Sequence, residues 1–277
     1  MDYHTSLVAE FCHVTVEETG GSSHAMETIG FMKSLDALFS KLERLNSDIS
    51  NVILCTDRNL SIAKIIREEE KYANIVHEYD VWHLGKSIRK RIIQASRQRN
   101  CGILTLWSKS VVNHFWYCAQ SCGGDPDALV TKWKSLIRHI SNDHIQCEHE
   151  DLTPDEASDK AWVTEGSPAF FAVQKIVLDK TILSAMKKCR HFIHTSILES
   201  FHNVLLKYMP KRLNFWKKST QMRMQLAIMD HNFNVGRGFV DKKWPSYSKV
   251  TKSIKYRNVF EAKTYEWRNV VIAEIIG

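Results

Sequence analysis

The feature that most constrains this chain is a six-residue apolar run, NVILCT at 51–56, standing between two segments of helical spacing. The run has the length of a buried strand and is too short for a helix. Upstream, from Met26, apolar residues recur at three and four: Ile29, Met32, Leu35, Leu38, Phe39, Leu42 and Leu45. Downstream, Ile62, Ile65 and Ile66 give residues 61–72 the same helical spacing. Residues 74–77, NIVH, read as a second strand, followed by a helix through Val81, Leu84, Ile88 and Ile92. Ahead of all these, SLVAEFCHVTV at 6–16 is rich in β-branched and aromatic residues and ends at the turn-forming 20–23, which predicts another strand. The order β-α-β-α-β-α implies an α/β core with a parallel sheet and right-handed crossovers.

Strand signals stop after residue 100. Residues 103–119, 128–140, 169–186 and 196–208 read as helices, with a turn at 122–126 and a long acidic loop at 148–160, so the second part is expected to be α-rich. Glycine and proline number 11 and 5 in 277 residues, which excludes a collagen-like or low-complexity chain. No apolar run approaches the roughly 18 residues of a membrane span. The start lacks a basic stretch followed by an apolar one, so no signal peptide is expected and the compartment is read as intracellular. Seven cysteines, an odd number, suggest thiols or metal ligands rather than a disulfide framework.

Charge is unevenly spread. Residues 1–80 hold 7 Lys/Arg against 14 Asp/Glu, whereas residues 207–257 hold 13 Lys/Arg against Asp230 and Asp241 alone. Lys207, Lys211, Arg212, Lys217, Lys218, Arg223, Lys242 and Lys243 are candidates for neutralising DNA phosphates, with Phe215, Trp216, Trp244, Tyr247 and Tyr256 as stacking rings. The alternative is a solvated basic face whose aromatics are core.

Ligands of a parallel α/β sheet gather at the carboxyl ends of its strands. Asp57 and Asp80 directly follow the two strand signals, and either could instead cap the next helix. Glu199 is the sole acid between Asp179 and Asp230. It fits a metal ligand for Mg²⁺, or equally the S-x-x-E capping box that starts at Ser196. Cys118, Cys122, Cys147 and His149 could close a structural Zn²⁺ site, the alternative being buried thiols, while His114, His139 and His144 read as ordinary helix histidines. No glycine-flanked serine elbow or phosphate-cradling glycine loop is present, which argues against an ordinary α/β enzyme using a Cys or Ser nucleophile.

Several segments together resemble one family. They are Ala25-Met26-Glu27 with Gly30-Phe31, CTDRNLSIAKI (55–65), HEYDVWHLGKSIRK (77–90), WSKSVVNHFWYCAQSCGGD (107–125), HTSILESFHNVLLKYMPKR (194–212) and LAIMDHNFNVGR (226–237). In order and spacing they resemble the DDE transposases with a ribonuclease-H-like core, in particular transposon-derived hAT/Kolobok-like proteins.

The resemblance implies a mixed sheet carrying three acids that hold two Mg²⁺ (or Mn²⁺) ions for DNA phosphodiester hydrolysis and strand transfer. It makes Asp57 the second acid, Glu199 the third, Asp80 and His83 an Asp-x-x-His element, and residues 100–190 an all-α insertion. The implied organisation is a first part of the core at 1–99, the insertion at 100–190, and the last core helix with a basic extension at 191–277. The family's first strand and first acid fall upstream of residue 1. The expectation is therefore a transposase-derived protein lacking that strand, poorly soluble, with two of three ligands and no catalysis, located in the nucleus with DNA as partner. The alternative is a non-catalytic nuclear protein that binds DNA or protein through its basic C-terminal region.

Overall fold

Placement in the computed structural model is described for residues 1–145, 147–149, 160–248 and 251–276. The fold is mixed α/β and 54% helical, with two sheets of only two strands each, so helix packing supplies most of the core. The chain divides into two compact units, residues 48–195 and residues 1–47 with 196–277. Among the described residues no helix is long and apolar enough to cross a membrane.

The 48–195 unit contains the expected alternation. Strands β1 (Val52–Thr56) and β2 (Ile75–Tyr79) pair in parallel, Val52 opposite Ile75 and Thr56 opposite Tyr79. Helix α2 (Leu60–Glu68) connects them and buries Ile62 and Ile66. Its end is a separate 3-10 turn, Glu70–Tyr72. Helix α3 (Val81–Ser96) leaves β2 at once, with Val81, Leu84, Ile88 and Ile92 buried as their spacing requires. Helix α4 (Leu104–Ser121) lies close on α3: a Cβ at Gly85 would stand 2.9 Å from Trp116 Nε1 and 3.3 Å from Val112 Cγ1.

The helix expected at 128–140 is two helices, α5 (Pro126–Lys134) and α6 (Leu136–His139), parted at Ser135. That expected at 169–186 is likewise α7 (Pro168–Val177) and α8 (Lys180–Met186). The second break follows from Asp179, whose side chain accepts the Thr181 and Ile182 amides and so caps a new helix. One apolar cluster joins α3 to α4, α5, α7 and α8, centred on Ile88, Phe115, Trp133 and Val177. Trp133 donates its indole N–H to the Val177 carbonyl at 3.0 Å, which satisfies its one polar atom in that core. Most of the acidic loop at 148–160 lies outside the described residues.

The other unit contains α1 (Ser23–Arg44), α9 (Ser196–Tyr208), α10 (Lys217–Asn232), strands β3 (Phe239–Ser248) and β4 (Ser253–Phe260), and α11 (Trp267–Ile276). Two expectations are corrected here. Residues 6–16 form no strand. Their backbone groups bond to side chains instead: the Val8 amide donates to Asn232 Oδ1 at 2.9 Å, the Val8 carbonyl accepts from Asn232 Nδ2, and the Ser6 carbonyl contacts His231 Nε2 at 2.8 Å. Ser6 also has φ of 59°, which a continuous strand does not permit. Secondly, strands do not stop at residue 100: within an otherwise α-rich part, β3 and β4 pair antiparallel as a two-stranded ribbon.

Candidate metal clusters and a basic ribbon

Parallel pairing of β1 and β2 brings Asp57 and Asp80 to one edge of the sheet, each just beyond its strand. Ligand atoms of Asp57, Asp80 and His83 all lie within 4.8 Å of one another, with His83 Nε2 3.5 Å from Asp57 Oδ1.

The two carboxylates differ in employment. Helix α2 is capped by Asn59, whose side chain accepts the Ser61 and Ile62 amides, so Asp57 is not the cap and its side chain is 64% exposed. Asp80 is the cap of α3. Its Oδ1 accepts the Trp82 amide at 2.6 Å and the His83 amide at 2.9 Å, and its Oδ2 accepts the Thr195 amide at 2.6 Å and the Thr195 hydroxyl. A carboxylate has about four lone-pair sites, and four donors occupy those of Asp80. Burial works against ionisation of this buried side chain, but the Thr195 and His83 hydrogen bonds outweigh it and hold the carboxyl below its ordinary value.

Glu199 lies exposed in the first turn of α9, in the other unit from Asp57 and Asp80. Within the 48–195 unit, the trio fits a two-Mg²⁺ centre poorly. Mg²⁺ requires hard oxygen ligands; Asp57 offers an open carboxylate, Asp80 is saturated, and His83 contributes a nitrogen.

The expected zinc set is regrouped. Cys147 and His149 do stand in a metal-competent cluster, but with His139 and His144, and the four ligand atoms lie within 4.8 Å of one another. Cys118 and Cys122 belong to the core. Cys118 Sγ sits 3.4 Å from His114 Nε2 and burial pushes its thiol up to about 12, while Cys122 donates to the Ala119 and Arg190 carbonyls. Burial, and then the neighbouring His144 and His149 rings, push His139 down to about 4, leaving it neutral near pH 7. The signal missed in the sequence was the compact run His139, His144, Cys147, His149, two of whose members, His139 and His144, had been read as ordinary helix histidines.

In the other unit, Lys207, Lys211, Arg212, Lys217 and Lys218 are exposed around the link from α9 to α10, with Trp216 89% exposed beside them. Arg223 is otherwise engaged: it donates to the Tyr208 carbonyl at 2.9 Å and stacks over Phe215 at 4.2 Å, bracing that link.

The β3–β4 ribbon adds a surface that sequence reading had not organised. Alternation along its register puts Phe239, Phe260, Pro245, Tyr256, Tyr247 and Ile254 on one face, with Lys243 and Asn258. The opposite face carries Trp244 across from Arg257, and Lys255. Most of these side chains are exposed, and residues 239–260 contain six Lys/Arg against one Asp.

The base of the ribbon is held firmly. Asn234 and Thr264 exchange two hydrogen bonds, Nδ2 to the Thr264 carbonyl at 3.0 Å and the Thr264 amide to Oδ1 at 2.8 Å, and Lys263 pairs with the buried Asp230 at 2.7 Å.

Comparison with protein-family models, with curated proteins and with solved structures returns no match.

Proposed function

We propose that this chain is a transposase-derived protein of DDE ancestry, located in the nucleus, that docks on DNA without cutting it. The single observation that carries the docking is the ribbon, whose rings and cations are exposed together. Cations on such a ribbon neutralise phosphates, and exposed aromatic rings offer stacking platforms for splayed bases. Lys211, Arg212, Lys217 and Lys218 extend the basic surface of the same unit.

The ancestry rests on the ordered segments and on the pairing β1–α2–β2–α3, which we read as part of a ribonuclease-H-like core. Bound Mg²⁺ or Mn²⁺ would supply activation of water and stabilisation of the leaving 3′ oxygen in such a core. Asp57 and His83 remain able to touch a cation at this edge, whereas Asp80 holds α3 and the Thr195 segment. That division of labour supports loss of the cutting step with retention of the fold.

Two assays on the full chain test the reading. Supercoiled plasmid incubated with Mg²⁺ or Mn²⁺ is expected to stay uncut, and a labelled duplex is expected to be bound. Nicking that disappears in Asp57→Ala would overturn the non-cutting part; failure to bind duplex or single-stranded DNA at low salt would overturn the docking part.

A further inference from the structure

We propose that His139, His144, Cys147 and His149 form a four-coordinate structural zinc site that fastens the segment after α6. Four imidazole and thiol groups converge there from only eleven residues of chain, all inside the 48–195 unit. His139 Nδ1 lies 3.4 Å from Cys147 Sγ and 3.4 Å from His149 Nε2, and His144 Nδ1 lies 3.2 Å from His149 Nε2. Nitrogen at roughly 2.0–2.1 Å and sulfur at about 2.3 Å around a tetrahedral Zn²⁺ stand roughly 3.3–3.6 Å from each other. Three of the six pairwise separations match edges of that tetrahedron to within a few tenths of an ångström, and the other three lie within 4.8 Å.

Hydrogen bonding among the rings does not account for the arrangement. A ring nitrogen has one in-plane lone pair or one N–H, and so serves one well-directed hydrogen bond. Yet His139 Nδ1 meets both Cys147 Sγ and His149 Nε2, and His149 Nε2 meets both His139 and His144. Convergence of several lone pairs on a common point is what a shared cation requires.

The surroundings suit such an ion. His144 Nε2 lies 3.2 Å from Asn142 Oδ1, a contact that places the proton on Nε2 and turns Nδ1 toward the cluster. Trp162 lies edge-on to both His139 and His144, and Trp107 to His139, which gives the site an apolar wall. Glu148, between the two last ligands, is tied outward to Lys132 and to the Tyr117 hydroxyl, so the backbone of this segment is positioned from α4 and α5 as well.

Donor chemistry selects the metal. Three imidazoles and a thiolate, with no carboxylate among them, favour Zn²⁺ over Mg²⁺ or Ca²⁺. Four protein ligands leave no open position, which marks a structural rather than a catalytic site.

The test is elemental analysis of the full chain, expressed without a histidine tag and purified without chelator, together with Co²⁺ substitution. One zinc per chain is expected, lost in Cys147→Ser and in His149→Ala and kept in Cys118→Ala, with native circular dichroism. Should a ligand variant not fold, the wild-type Co²⁺ spectrum decides: intense tetrahedral bands with a thiolate charge-transfer band support the site. Octahedral, thiolate-free Co²⁺, or zinc retained in both ligand variants, or a wild type that takes up neither metal, would overturn it.

Discussion

Asp80 and Thr195, 115 residues apart, are joined by two hydrogen bonds to one carboxylate oxygen, while the other oxygen caps α3. This carboxylate therefore holds two distant pieces of its unit together. Asp57, its neighbour at the same sheet edge, has no such task, and the two residues should respond unequally to substitution.

Asp80→Ala is expected to cost about 2–4 kcal/mol, since it removes a cap and leaves the Thr195 donors without their buried acceptor. Asp57→Ala should change stability by about 0.5 kcal/mol or less, as for an exposed surface position. Urea unfolding of both variants checks this; equal effects would contradict the division of roles.

Gly85 permits the close approach of α3 and α4. Gly85→Ala sets a methyl against the Trp116 ring and the Val112 side chain, and the strain should cost about 1–3 kcal/mol despite the better helix propensity of alanine. A thermal melt measures it, and a stabilised Gly85→Ala would show the helices to be more loosely packed.

The alternation of strands and helices from residue 51 to residue 96 was legible because short apolar runs and three-four spacing are local signals. Asn59, Asp80 and Asp179 were harder: several polar residues near each start could serve as the cap, and only backbone geometry selects one. The strand expected at 6–16 failed because composition reports β preference and not a ladder partner. Its bonding went to His231 and Asn232, more than 220 residues away. The ribbon was hidden by Pro245 and by its many charged residues, both contrary to a buried strand, whereas two edge strands tolerate them. At the candidate sites, Asp57, Asp80, His83, Cys147 and His149 were visible in the sequence. The cluster partners His139 and His144 depended on how the chain turns after α6.

His77 gives the fold a pH dependence. Its ring sits 2.8 Å from the Thr56 hydroxyl and 3.4 Å from Lys188, and burial, with Lys188 adding to it, pushes it from 6.5 down to about 4. The unfolded chain takes up a proton as pH falls through 6.5, and the native chain does not until about 4. Its contribution is thus complete above pH 6.5, lost between 6.5 and 4, and constant below, on the order of 1–3 kcal/mol. Denaturant melts across this window should show a shallower slope in His77→Gln; an identical slope would contradict the assignment.

Asn234 closes the base of the ribbon through its reciprocal pair with Thr264. Asn234→Ala is expected to cost about 2–3 kcal/mol and to speed amide exchange in β4 and the residues just after it. Hydrogen exchange read by mass spectrometry checks this, and unchanged protection there would show that the pair carries little of the ribbon's stability.

The most direct measurement for DNA docking is the salt dependence of binding between the full chain and a fluorescent duplex, followed by anisotropy. Wild type should weaken linearly in log–log form as salt rises, and the Lys243→Ala/Lys255→Ala/Arg257→Ala variant should lose about three units of that slope, roughly 0.9 for each phosphate contact. An unchanged slope in the variant, with its melt intact, would contradict the ribbon as the DNA-docking surface.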